Sequence, residues 1–258
     1  MAEQYRGIIL AAGRGSRLGG LTDARPKCLV PLAGRPLLHW QLEAFRAVGV
    51  ADVTVVRGYR KELLIGDFRT LDNPDWEKTN MVATLLRADE ILRSGPTLIS
   101  YSDIVYRPSH LAALRDTVGD LAICADRRWL DLWSLRFPDP LSDAETFREE
   151  GDVLREIGER TDTLSDIQGQ YMGLLKATPQ GWGEMREYLH GIGPEAVAGL
   201  DITGLLGRLL RLGTEIRVCP VQGGWVEVDN PEDITLYEDR LSRVGGWSHS
   251  WLPEGNSA

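Results

Sequence analysis

Between Arg14 and Arg35 the chain places five basic residues, Arg14, Arg17, Arg25, Lys27 and Arg35, against one acid, Asp23. They lie among glycines after an apolar run, in the stretch GIILAAGRGSRLGGLTDARPKCLVPLAGRP. Backbone N–H groups of a glycine-rich turn can cradle a phosphate. Arg17 and Lys27 can bring charged donors to the same anion. Far along the chain, Asp103 closes TLISYSD, and Glu227 and Asp229 stand in GWVEVDNPED. If 225–229 is a strand, Glu227 and Asp229 share one face while Val226 and Val228 share the other. Two carboxylates on one face and a third at another strand end suit a hard divalent cation. Such an ion is usually held by one or two carboxylates with substrate phosphates and water. Asp229 can instead cap the helix that follows, and the two roles are compatible.

The elements that must position these groups alternate. YRGIILAA reads as a buried strand over 5–12, followed by a helix over 37–48 with Gly49 just beyond its end. DVTVVRG is a second strand, and helices are expected from about 59 and over about 80–92. GPTLISYSD and DLAICAD are further strands, with a helix over 108–115 between them. The order implies an α/β fold, a Rossmann-like, mostly parallel sheet flanked by helices. From about 129 the pattern loosens into aromatics, acids and prolines, so 127–178 is expected to be an inserted acceptor lobe containing the strands GDVLREIG and GQYMGLLKA. Helices over 179–189 and 201–212, short strands EIRVCPV and GWVEVD, and a last helix capped by Asn230 or Asp229 follow. One domain over 1–245 is expected, with 246–258 a loosely ordered tail.

Composition narrows the function. A net charge of -9 disfavours non-specific nucleic-acid binding, while the local basic cluster can still draw in a small anion. Cys28, Cys124 and Cys219 are too few and too scattered for a disulfide framework or a zinc site. No leader-like apolar segment opens the sequence and no run is long enough to span a membrane, so a cytoplasmic protein is expected. Nothing in the pattern fixes the oligomeric state, and a homodimer is an open option. A nicotinamide fingerprint is a poor match: Gly13 and Gly15 fit G-x-G-x-x-G, but Leu18 stands at the third glycine. Prolines and glycines then forbid an immediate regular helix.

The string LAAGRGSRL (residues 10–18) followed by RPK (25–27) resembles the sugar-phosphate nucleotidyltransferase superfamily. The resemblance implies a nucleotide wrapped by Leu10, Ala11, Ala12, Gly13, Gly15, Ser16 and Arg17. It gives Arg17 to the departing pyrophosphate and Lys27 to the charge around the α-phosphate. Asp103, with Glu227 and Asp229 of W-x-E-x-D, is then expected to hold Mg²⁺. NMVATL, SYSDIVY, GQYMGLLK and WVEVDNPED look closer to the phosphocholine and phosphonate cytidylyltransferases, which adds Asn80, Thr84 and Ser102 to the nucleotide contacts. NMVATLLRA, where sugar enzymes often show G-T-A-x-A, speaks against a sugar 1-phosphate and implies CTP.

The acceptor is expected in the irregular region, near Asp126, Asp131 and Arg136. Trp129, Trp133 and Tyr171 could offer aromatic faces to a cation, and Arg136 a donor to an acidic group. Trp129 and Trp133 could equally be packing residues. Asp201 could cap a helix or contact the acceptor. The expected reaction is transfer of CMP from CTP to a small phosphonate of the 2-aminoethyl- or 2-hydroxyethylphosphonate type, releasing pyrophosphate. Phosphocholine is the alternative acceptor and a sugar 1-phosphate the further one. A non-enzymatic nucleotide-binding module would have no use for Asp103, Glu227 and Asp229 together.

Overall fold

The protein was examined as a computed structural model that describes residues 4–243 and 246–252. Its strands are β1 (Arg6–Ala11), β2 (Pro31–Leu32), β3 (Arg35–Pro36), β4 (Val53–Arg57), β5 (Arg69–Asp72), β6 (Thr97–Tyr101) and β7 (Ile104–Tyr106). They continue with β8 (Leu121–Asp126), β9 (Phe147–Glu150), β10 (Val153–Ile157), β11 (Gln170–Ala177), β12 (Arg217–Val221) and β13 (Trp225–Glu227). Nine of them form one sheet in the order β5-β4-β1-β6-β11-β8-β12-β10-β9. Only β11 and β10 run against the rest. The fold is the expected α/β, mostly parallel sheet.

Residue parity in β1 explains the layers. Ile9 and Ala11 enter one core, Ile8 and Leu10 the other, because successive strand side chains point to opposite faces. On the first face lie α1 (Leu37–Ala47), α4 (Pro108–Asp116), α5 (Trp129–Arg136) and α9 (Pro231–Ser242). The second face carries α2 (Met81–Leu86), α3 (Asp89–Ser94), α6 (Pro179–Ile192), α7 (Pro194–Gly199) and α8 (Ile202–Arg211). In α8, Ile202, Leu205, Leu206 and Leu209 recur at helical spacing and are all buried. Each such side chain contributes roughly 1.5–3 kcal/mol by leaving water.

Several expectations change. The helix from about 59 is a single 3₁₀ turn, Lys61–Leu63, and β5 follows it at the sheet edge. Arg60, with φ 48, keeps Tyr59 out of the turn, and Leu64, with ψ 80, leaves the helical region and ends it. The helix over 80–92 divides into α2 and α3. Of the expected lobe over 127–178, α5 and the β9–β10 hairpin occupy one end of the sheet, while β11 lies in its middle, between β6 and β8. The tail over 246–258 is not loose as far as 252: His249 is fully buried and Trp251 nearly so. Two tryptophans and a histidine have too much apolar surface to stay in water; residues 253–258 lie outside those described. Among the described residues no helix is long and apolar enough to cross a membrane.

The chain leaves β1 to pair β4 on one side and returns with β6 on the other. A crevice therefore opens beyond the carboxyl ends of β1 and β6, where open α/β sheets bind ligands. The glycine loop follows β1 and Asp103 follows β6.

Candidate active site

The loop after β1 turns through short 3₁₀ segments rather than an α-helix, with a kink at Gly19. Gly15 is required twice: its φ is 74°, and a Cβ there would stand 2.6 Å from Cβ of Lys27. The Thr22 hydroxyl donates to the carbonyls of Gly15 and Gly19, both at 3.2 Å, and pins the turn. Leu18, where a dinucleotide loop would have glycine, is fully buried and anchors the loop to the core. Leu10, Ala11 and Ala12 are buried as well, so their backbone, not their side chains, is what they can offer a nucleotide. The Ala12 carbonyl accepts from Tyr59 N at 2.9 Å. Gly58 permits this approach, because a Cβ on it would meet the Ala12 oxygen at 2.5 Å.

Lys27 is the centre of the charges. Its Nζ donates to Asp103 Oδ2 and to Asp229 Oδ1, each at 2.9 Å. Burial alone would depress the ammonium, but the two carboxylates outweigh it and hold its pKa above the ordinary lysine value. Arg17 Nη2 donates to the same Asp229 oxygen at 2.7 Å, while its side chain stays 69% exposed and open to a ligand. The Asp229 carboxyl, raised by burial and lowered more strongly by Lys27, Arg17 and Arg136, falls below the usual carboxylate range.

Behind these carboxylates stands Arg136, with a fully buried side chain. It meets Glu227 Oε1 at 2.5 Å, Asp229 Oδ2 at 3.1 Å and Asp233 Oδ1 at 3.2 Å. The expectation that Arg136 greets the acceptor is therefore corrected: the guanidinium is consumed in orienting three carboxylates. Trp129 and Trp133 are corrected too, being 4% exposed, packed edge-on to each other and set in the core. Strand β13 pairs antiparallel with β7, and Val228 N donates to the Asp103 carbonyl at 2.9 Å, tying the acidic elements together. Val226 and Val228 are fully buried while Glu227 and Asp229 reach Arg136, the alternation expected of that strand. Asn230, with Asp233, caps α9.

Among the described residues, no three His, Cys, Asp or Glu side chains group to hold a metal by themselves. Both Asp229 oxygens are taken by cations. Asp103 Oδ1, however, is buried without a hydrogen-bond partner. An acceptor-only atom left so suits a cation. Burial pushes the Glu227 carboxyl up to about 8 against the pull of Arg136, and Asp229 and Asp103 add to the rise. A divalent cation would relieve that strain.

On the other side of Asp103, Tyr101 and Tyr171 pack edge-on, with ring centroids 5.7 Å apart. Gly173, at φ 81, leaves the space, since its Cβ would touch the Tyr101 ring at 2.8 Å. Both phenol oxygens are buried and lie close enough to influence each other's ionisation. Burial raises the Tyr101 phenol first, and the charges of Asp103 and Asp201 add to it. Glu145 is likewise raised by burial and then by Asp201. Asp201 caps α8 by accepting from Gly204 N at 2.7 Å. Tyr101 and Glu145 carried no sequence signal beyond residue type. Of the other expected contacts, Asn80 caps α2 and Thr84 is buried against Asn73. Ser16 and Ser102 lie on the turns after β1 and β6. Gly13 has nothing near its α-carbon that a side chain would strike.

A family model described as the MobA-like NTP transferase domain matches residues 7–160. The chain is 31% identical over 246 residues to CTP:phosphoglutamine cytidylyltransferase of Campylobacter jejuni, covering 89% of this chain and 97% of that protein. It is 30% identical over 116 residues to 2-aminoethylphosphonate cytidylyltransferase of Lancefieldella rimae, covering 43% and 47% of the two. The solved CTP:phosphocholine cytidylyltransferase of Streptococcus pneumoniae superposes with a TM-score of 0.67 at 20% identity, over 92% of this chain and 99% of that one.

Proposed function

Because the chain belongs to the MobA-like NTP transferase domain family, we propose that it is a CTP-dependent cytidylyltransferase whose acceptor is a small phosphonate or phosphate bearing an amine. The observation that carries the reading is Lys27, locked between Asp103 and Asp229 directly beneath the glycine loop. A phosphonate or phosphate oxygen of the acceptor attacks the α-phosphorus of CTP. The bond to the α,β-bridging oxygen breaks, and pyrophosphate leaves with that electron pair. The attacking oxygen is already an anion, so no general base is needed. The loop N–H groups hold the triphosphate, Arg17 meets the departing pyrophosphate, and Lys27 neutralises charge at the α-phosphate. Asp103 and Glu227 would hold Mg²⁺ with the phosphates. Bound there, the ion withdraws charge from the phosphate oxygens.

The amine follows from the acceptor side. Asp103 and Asp201 put negative charge near the Tyr101 phenol, and Glu145 lies near Asp201, a setting that attracts an ammonium. The two named relatives act on phosphoglutamine and 2-aminoethylphosphonate, each of which has an amino group. An aminoalkylphosphonate is the first choice, and phosphocholine or phosphoglutamine the second.

Pyrophosphate release across triphosphates and acceptors tests the reading. CTP should exceed UTP and dTTP by at least about tenfold in kcat/KM. 2-Aminoethylphosphonate, phosphoglutamine or phosphocholine should outrun 2-hydroxyethylphosphonate and every sugar 1-phosphate. A preference for a sugar 1-phosphate would overturn it.

A further inference from the structure

The strand that carries Glu227 emerges from a tight turn, and a distant segment holds that turn. Gly223 and Gly224 both adopt left-handed backbone, φ 67 and 73. Gly224 N donates to the Ser248 carbonyl at 2.8 Å, and Arg107 joins the two sides, its Nε to the Ser250 carbonyl at 2.8 Å and its N to the Gly224 carbonyl at 3.0 Å.

Beneath the turn lies Asp126, fully buried at the end of β8. Its Oδ1 accepts from Gly223 N and Arg128 N, both at 2.8 Å. Its Oδ2 accepts from Trp225 Nε1 and His249 Nε2, both at 2.9 Å. An ionised carboxylate only accepts, so His249 carries its proton on Nε2. Nδ1 is hydrogen-bonded to the Ser248 hydroxyl at 3.0 Å. Every polar atom of this buried chain is matched, which is what such networks need to specify one geometry. A second route runs through Trp247, stacked on Tyr237 at 5.7 Å, whose hydroxyl donates to the Glu227 carbonyl at 2.8 Å.

We propose that residues 247–252 form a strap that sets the position of β13, with His249 and Asp126 as positioning residues for the transfer reaction. The proposal rests on the function given above for its kinetic consequence. Neither side chain hydrogen-bonds to Arg17, Lys27, Asp103 or Glu227. Both act through Trp225, two residues before Glu227. Without His249, Asp126 Oδ2 keeps a single donor and the carboxylate that holds Gly223 and Trp225 is no longer fixed from the strap side, so Glu227 and Asp229 drift from Lys27 and Asp103.

The test uses the full chain with His249→Ala and His249→Gln. His249→Ala should lower kcat about tenfold, because ångström-scale misplacement of a reacting site is that costly. KM for CTP should stay within about twofold, since the loop after β1 is untouched. The amide hydrogen of Val228, bonded to the Asp103 carbonyl, should exchange at least about tenfold faster while β1 amides do not. His249→Gln, whose carboxamide N–H can donate to Asp126, should restore most of both. Wild-type turnover and exchange in His249→Ala would overturn the strap, as would equal impairment of both variants. Should His249→Ala fail to fold, Trp225→Phe, which removes the indole donor to Asp126 together with part of a buried ring, decides by the Val228 exchange readout set against that of β1. A wild-type protein that releases no pyrophosphate from CTP would sink the function, while the exchange measurements would still decide the strap.

Discussion

At the scale of single residues, Lys27 joins stability and chemistry. Lys27→Ala removes the only ammonium between Asp103 and Asp229. Turnover, read as pyrophosphate release, should fall by about two orders of magnitude or more, the effect of losing an oriented charge at a phosphoryl group. The unfolding free energy should fall with it, by about 3 kcal/mol in denaturant titration, because buried carboxylates are left short of a partner. Lys27, Arg17, Asp103, Glu227 and Asp229 were legible in the sequence because their motifs are local and their charge is unusual for where they stand. The inward turn of Arg136 is not legible, since nothing local says that an arginine three residues after a buried tryptophan will turn to three acids ninety or more positions away. Tyr101, Glu145 and His249 were silent for the same reason: each acquires its partners only through long-range contacts.

Among the elements, the glycine loop and its strand were read correctly, because an apolar run that breaks on glycine and proline has few other conformations. The loop is also where a small change tells most. Gly15→Ala forces a methyl group into a left-handed residue and against Lys27, 2.6 Å from its Cβ. Its kcat should fall about tenfold or more as Lys27 is displaced, while the unfolding free energy drops by about 1–2 kcal/mol, the range for a strained backbone position. Kinetics with wild-type kcat would show that the loop can yield. Elements beyond residue 57 were harder to place. β5 is a half-exposed edge strand of mixed polarity and lacks a clear period, and α2 and α3 read as one helix because the break at Arg87 and Ala88 contains neither glycine nor proline.

For the whole molecule, two cores close on opposite faces of the sheet, and acid should loosen them through a buried group. Burial holds His110 neutral, lowering its pKa from 6.5 to about 4. Between those values the unfolded chain binds more protons at this residue than the folded one, so the contribution of His110 to stability rises with pH across that window and is constant above it. That contribution is on the order of 3 kcal/mol. The loss of melting temperature between pH 6.5 and 4 should therefore be smaller in His110→Gln than in the wild type. Helix-strand alternation made the layered fold legible; the seat of β11 was not, because strand order is a property of the assembled sheet. That seat has a consequence for how the molecule is made. β6 and β8 are not neighbours, and the strand that joins them, β11, is a later part of the chain, beginning at Gln170. The stretch matched by the family model stops at residue 160. On the ribosome, the whole nucleotide loop is therefore complete while the sheet beneath it is still in separate pieces with open edges, and the site comes into being only when β11 and β12 arrive between them.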